Sequence, residues 1–392
     1  MIMDKKTIYL DNSATTPLSE AAKAQMISAM EIYGNPSSLH SAGQEAEKLI
    51  ETAREQVLLG LGIKKRQNDG ALVFTSCGTE ASSLALFGTA YAKQRRDAVR
   101  ILTTDSEHPS VARVMDKLAG DGFEVIRIST KGGVLSEEEL DLALDKKILL
   151  ASFMLVNNET GAIYSVASAF KKIKQKYPDA VTHCDAVQGF MKYNFTPASL
   201  SADLITVSAH KIHAPKGVGA LYISGPLIKA KKITPFLLGG GQENGWRSGT
   251  ENVIGISAFG AAVEDIRLRR QDIANKLSRL RSYADEKLSP LDVRVNRPRC
   301  EYLPNIINIT LPNIKSETML HFLSAEGIFV SSGSACSSHS NHVSESLTAF
   351  GLSPKEADCS LRISMSEYNS EEDIDALCIA LEQGIQRLVK IR

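Results

Sequence analysis

The sequence has no excess of either charge sign: 45 lysines and arginines balance 45 aspartates and glutamates over 392 residues. A neutral chain projects no strong field toward nucleic acid or an anionic membrane, so the expected partners are small molecules or other proteins, with no nucleic acid and no membrane. No apolar run is long enough to span a bilayer, and the opening MIMDKKTIYLDNS lacks the apolar core of a secretory signal. A cytoplasmic location is the expectation. Paired cysteines are missing as well. Cys77, Cys184, Cys300, Cys336, Cys359 and Cys378 are scattered without a Cys-x-x-Cys spacing, which favours thiols over disulfides. A metal-binding regulatory site drawing on Cys77, His108, His183, Cys184 and His339 is a minor alternative, because His183-Cys184 is its only close ligand pair. Repeats and low-complexity tracts are absent.

What is present is a rhythm. From about Ala71 to Ser224, strand-like runs (ALVFTS, VRILTT, FEVIRIS, ILLASFML, AVTHC, LITVSA, GALYIS) alternate with helical patterns such as EASSLALFGTAYAKQ and SVASAFKKIKQKY. That alternation predicts an α/β fold with a mainly parallel sheet covered by helices. At roughly 100–200 residues per domain the chain has room for two. We expect a large domain over 15–260 and a smaller α+β domain built from 1–14 and 261–392. A long charged helical pattern over 261–288 would connect them, its RLRR a solvated face. The smaller domain would contain NIINITL, the helix SETMLHFLSAEG, a Ser-rich loop after Val330, the strand LRISM and a closing helix from Ser370.

Ligands of open α/β sheets bind outside the carboxyl ends of the strands, and the unusual polar residues fall at those ends. Cys77-Gly78-Thr79 follows ALVFTS, His108 follows VRILTTDSE, Asn157-Asn158 follows ILLASFMLV, Asp185 to Gln188 follows AVTHC, and His210-Lys211 follows LITVSA. Each alone has a plain explanation as a cap, a turn former or a structural histidine. Together they suit pyridoxal 5'-phosphate: amides and hydroxyls at a helix start for phosphate, a carboxylate for the ring nitrogen, a histidine to stack on the ring, and a lysine to bond its aldehyde. Lys211, the first lysine past its strand and next to His210, is the expected partner of the aldehyde. Lys216, inside PKG, reads as turn or surface charge.

The motifs YLDNSATTP, YGNPSSLH, CGTE, EHPSV, VNNETG, CDAVQ, SAHKIHAPKG, GGGQENGWRSGTEN, SSGSACSS and LRISMS, in this order, resemble those of the cysteine desulfurases, a group of class V aminotransferase, fold-type I pyridoxal phosphate enzymes. The resemblance implies removal of sulfur from L-cysteine, giving L-alanine and a persulfide for a sulfur-acceptor protein, an iron–sulfur scaffold or a thiolation enzyme. It also implies a homodimer. Carried over by position, Gly78, Thr79, Ser208 and His210 would bind phosphate, joined by Thr250 from the second subunit. His108 would stack on the ring as acid and base, Asn158 and Gln188 would meet its hydroxyl, and Asp185 its nitrogen. Arg362, with Asn158, would hold the substrate carboxylate, and Cys336 would be the sulfur-accepting nucleophile. Cys77 stands where the family usually has glycine, and Met365-Ser366-Glu367 where it commonly has Leu-Gly. A selenocysteine lyase or other β-lyase on the same fold is the alternative, and a non-catalytic scaffold a third reading.

Overall fold

The structure is a computed structural model that describes residues 7–64, 69–92, 98–332 and 344–389. Its strands are β1 (Ile8–Tyr9), β2 (Ala71–Thr75), β3 (Arg100–Thr104), β4 (Glu124–Ile128), β5 (Ile148–Met154), β6 (Val181–Asp185), β7 (Leu204–Ser208), β8 (Gly219–Ile223), β9 (Arg294–Val295), β10 (Ile306–Thr310), β11 (Ile328–Phe329), β12 (Ser331–Ser332) and β13 (Ser360–Ser364). Seven of them form one sheet in the order β2-β8-β7-β6-β5-β3-β4. All its ladders are parallel except the two made by β8. The seven expected runs are its seven strands, and the fold is the α/β type anticipated.

Helices cover both faces of this sheet, and accordingly β3, β6, β7 and β8 are buried along their whole length. On one face Phe153, Phe170, Phe190 and Phe259 fill the core. On the other, Leu84, Leu86, Met115 and Leu118 are buried. A second sheet, β12-β13-β10-β9, is antiparallel throughout. It shares a separate apolar cluster, including Ile307, Ile309, Leu361 and Ile363, with Met319 of helix Ser316–Ala325 and Leu377 and Leu381 of helix Glu371–Arg387. Ser370 caps that last helix in a capping box with Asp373, which accounts for its start at the expected residue.

Helix Val253–Leu288 has 36 residues and at 1.5 Å per residue is about 54 Å long. Phe259, Val263 and Ile266 belong to the first core, whereas Leu277, Leu280 and Leu288 belong to the second. It begins eight residues before the charged pattern that announced it, capped by the Asn252 side chain, because its first turns are apolar and buried. The expectation of a wholly solvated RLRR needs correction. Arg267 is exposed and pairs with Glu264, but Arg269 pairs with Asp265 and Arg270 turns inward to donate to the carbonyl of Tyr193. Among the described residues no helix is long and apolar enough to cross a membrane.

Candidate active site

The carboxyl ends of the parallel strands open on a cavity of about 290 Å³. Gly78, Thr79, His108, Asn158, Asp185, Gln188, Ser208, His210, Lys211 and Arg362 all line it. Thr250 is exposed and does not, and Cys336, His339 and His342 lie outside the described residues. A larger cavity of about 500 Å³ is also lined by Lys211 but by none of the other expected strand-end groups, so the smaller one is the candidate site.

At the end of β2, Cys77 is the N-cap of helix Gly78–Ala90 without a side-chain cap bond. The helix starts hard against its neighbours. A Cβ on Gly78 would lie 3.2 Å from Val187 Cγ2 and 3.3 Å from Ser208 Cβ, and one on Gly219 would lie 2.4 Å from the backbone carbon of Cys77. The first turn of this helix, whose leading amides have no intrahelical acceptor, lines the cavity with Gly78 and Thr79 beside Ser208, whose buried hydroxyl has no hydrogen-bond partner.

Past β3, His108 caps helix Pro109–Gly120: its Nδ1 accepts from the Ser110 amide at 3.2 Å and lies 2.8 Å from Ser110 Oγ. Accepting at Nδ1 leaves the proton of the neutral ring on Nε2. Burial, reinforced by the charge of Lys211, pushes its pKa down to about 4, so the ring is neutral at pH 7. Glu107, just before it, escaped the sequence reading. Its Oε1 accepts from Thr104 Oγ1 at 2.7 Å and from the Met154 amide at 2.9 Å, tying the ends of β3 and β5 together, and burial pushes its pKa up to about 8.

Asn157 and Asn158 divide their labour. Asn157 Oδ1 accepts from the amides of Glu159 and Thr160, a turn-forming role, and leaves Asn158 to line the cavity. Asp185, at the end of β6, accepts from the Val187 amide at 3.0 Å, and burial lifts its pKa to about 6 against that bond and the charge of Lys211. Lys211 ends the turn after β7 and donates to the carbonyls of Ser13 at 2.6 Å and Ala14 at 2.9 Å. Gln188 Nε2 donates to the same Ser13 carbonyl at 2.9 Å. Lys216 is exposed. Arg362 reaches in from β13, its Nη1 donating to the Asn158 carbonyl at 3.1 Å and its Nη2 to Asp11 at 2.8 Å. Asp11, Ser13 and Ala14 belong to YLDNSATTP, and the signal available for them was a cluster of short polar residues directly after an apolar stretch.

His183 and Cys184 are buried in β6. The two ring nitrogens of His183 meet Ser152 Oγ at 2.8 Å and Thr206 Oγ1 at 2.9 Å, and burial drives its pKa down to about 3. Among the described residues no three His, Cys, Asp or Glu side chains are grouped to hold a metal ion.

A lysine, a carboxylate, a neutral imidazole and an arginine thus surround one cavity at strand ends. The model of the aminotransferase class-V family matches residues 8–377. The chain belongs to that family. It is 38% identical over 385 residues to a cysteine desulfurase of Trichormus azollae, covering 97% of this chain and 93% of the relative. Among solved structures, a NifS-like protein superposes with a TM-score of 0.89 at 35% identity, covering 98% of this chain and all of that one. A structure described as SspA in complex with cysteine has a TM-score of 0.79 at 28% identity, covering 93% of this chain and 100% of the other. Membership of the class-V aminotransferase family implies pyridoxal phosphate in general terms.

Proposed function

We propose that this class-V aminotransferase is a pyridoxal-phosphate-dependent cysteine desulfurase: it takes the sulfur of L-cysteine, releases L-alanine and carries the sulfur as a persulfide on Cys336. The observation that carries the reading is Lys211, which lines one cavity with Asp185, His108 and Arg362. The names of the relatives and the cysteine complex of one of them support the substrate.

The residues fit the cofactor. Ser208 offers a hydroxyl with no partner beside Gly78 and Thr79 at a helix start, where the first backbone amides have no intrahelical acceptor, a ready anion site. Thr79, Ser208 and His210 would hold the phosphate with Thr250 of a second subunit, and the chain would act as a homodimer. Asp185 would meet the ring nitrogen, His108 the ring face, and Asn158 and Gln188 the ring hydroxyl. When bound, pyridoxal phosphate supplies an electron sink for the substrate carbon next to nitrogen. Lys211 would bond the aldehyde and then serve as a base that moves the Cα proton. Neutral His108 can accept a proton at pH 7, and Arg362 would orient the substrate through its carboxylate. The Cys336 thiolate forms a new S–S bond as the Cβ–S bond of the substrate breaks, and Cβ takes up a proton to give alanine. A large unit of 15–260 and a small unit of 1–14 with 261–392, which the two sheets and their separate cores support, would bring the Cys336 side of the chain to the cofactor side. The persulfide would pass to an acceptor protein of iron–sulfur assembly or thiolation.

Incubation with L-cysteine should give alanine and one added sulfur on the intact chain. Cys336→Ser should keep the cofactor and lose the added sulfur, while Cys77→Gly keeps both. Pyruvate and ammonia in place of alanine, or sulfur mapped to Cys77, would replace this reading with a β-lyase.

A further inference from the structure

The arginine read as the clamp for a substrate carboxylate already grips a carboxylate of its own chain. Arg362 Nη2 lies 2.8 Å from Asp11 Oδ1, their side chains 6% and 19% exposed. Its Nη1 is given to the Asn158 carbonyl at 3.1 Å, and its buried Nε has no partner. Asp11 is held in place by the backbone around it. It bridges Ser364 on β13, the Asn12 amide donates to the Ser364 carbonyl at 3.1 Å, and the Ser13 amide donates to Ser364 Oγ at 2.8 Å.

A guanidinium takes a carboxylate through two parallel N–H bonds, using Nη1 with Nη2 or Nε with Nη2. Both arrangements use Nη2, which has already given one of its two N–H groups to Asp11. A second carboxylate therefore meets a cation whose charge is already balanced, and two carboxylates on one poorly solvated cation repel each other. Glu159, the other carboxyl that feels Arg362, is buried with its pKa pushed up and its Oε1 on Ser344 Oγ. Asp11 is the acid in direct contact with the guanidinium.

We propose that Asp11 is a positioning residue that occupies Arg362 in place of the substrate's α-carboxylate and yields Nη2 when the substrate enters. This rests on the reading of Arg362 as the substrate clamp. Exchanging one carboxylate for another gains little, so the carboxylate contributes orientation more than affinity. A simple carboxylic acid cannot displace Asp11 at modest concentration. An amino acid can, because its amine also engages the aldehyde. The same turn ties the two ends of the substrate together, since the carbonyls of Ser13 and Ala14, two and three residues beyond Asp11, accept from Lys211.

The test compares holoenzyme with Asp11→Asn and Asp11→Ser, each checked for full cofactor content, in steady-state alanine formation from L-cysteine and from L-cysteine methyl ester. Removing the competing charge should lower KM for L-cysteine about tenfold. KM for the ester, which has no carboxylate to compete, should move less than about twofold on the same reasoning. Propionate, without effect on the parent enzyme, should become a competitive inhibitor of both variants. A KM for L-cysteine that stays or rises in both variants overturns the role of Asp11. A parent enzyme that makes no alanine overturns the desulfurase reading instead, and an Arg362→Ala variant with unchanged KM for L-cysteine overturns the clamp.

Discussion

Ser208→Ala separates what an unpartnered buried hydroxyl costs the folded chain from what it contributes to binding the cofactor. Ser208 ends β7 with 2% of its surface exposed, and its hydroxyl has no hydrogen-bond partner. A buried polar group without a partner costs about 1–3 kcal/mol. Deleting one oxygen leaves a void smaller than a methyl group, which offsets part of the relief. Cofactor-free Ser208→Ala should therefore be as stable as the parent or more stable by up to about 1 kcal/mol. A hydroxyl bond to a charged phosphate contributes about 1.5–3 kcal/mol, so cofactor affinity should fall roughly ten- to a hundredfold. The assay is urea unfolding of the cofactor-free protein together with titration by pyridoxal phosphate followed by absorbance. The stabilisation by added cofactor should shrink in step with the lost affinity. A cofactor-free variant clearly less stable than the parent, or one that binds the cofactor equally well, refutes the assignment of this hydroxyl to the phosphate.

Lys211→Ala should carry no cofactor bonded to the chain after borohydride reduction and denaturation, whereas Lys216→Ala should retain the reduced adduct; mass mapping distinguishes them. Glu107→Gln bears on pH. In the folded protein the Glu107 carboxyl holds its proton up to about 8 against a reference value of 4.5. Between those values the folded state binds a proton that the unfolded chain has lost, so stability falls as pH rises through the window. The glutamine variant should lack that fall, about 5 kcal/mol across the window, measured by urea unfolding of the cofactor-free protein at a series of pH values. An identical slope in both proteins would show that Glu107 is ionised when folded.

The seven strands of the main sheet were legible because each is a short apolar run between polar breaks, and the strand-end rule then brought Lys211, Asp185 and His108 to one cavity. The direction of β8 was not legible, since GALYIS reads the same way for either orientation. Glu107 went unread for a different reason: a glutamate after a strand is normally a solvated turn residue, and only the approach of the Met154 amide and Thr104 shows it to be a clip. The pairing of Asp11 with Arg362 spans 351 residues, beyond any local pattern. The charged register of the long helix misled at Arg270, which bonds the Tyr193 carbonyl, a contact with no trace in its own neighbourhood.

The pairing of the first strand has a consequence for how the chain is made. Ile8 and Tyr9 lie in register with Ile328 and Phe329, and Asp11 bridges Ser364. A ribosome adding about 5–20 residues per second needs roughly 15–65 s between the two members of the first pair. Until β11 and β13 emerge, the turn that carries the carbonyls for Lys211 can meet Gln188, His210 and Lys211 but lacks its bonds to Ser364. A nascent chain stopped at Phe350 would contain Lys211, Asp185 and His108 but neither Arg362 nor Ser364. Completion of the candidate site thus waits for β13, more than a hundred residues after Lys211 has been made.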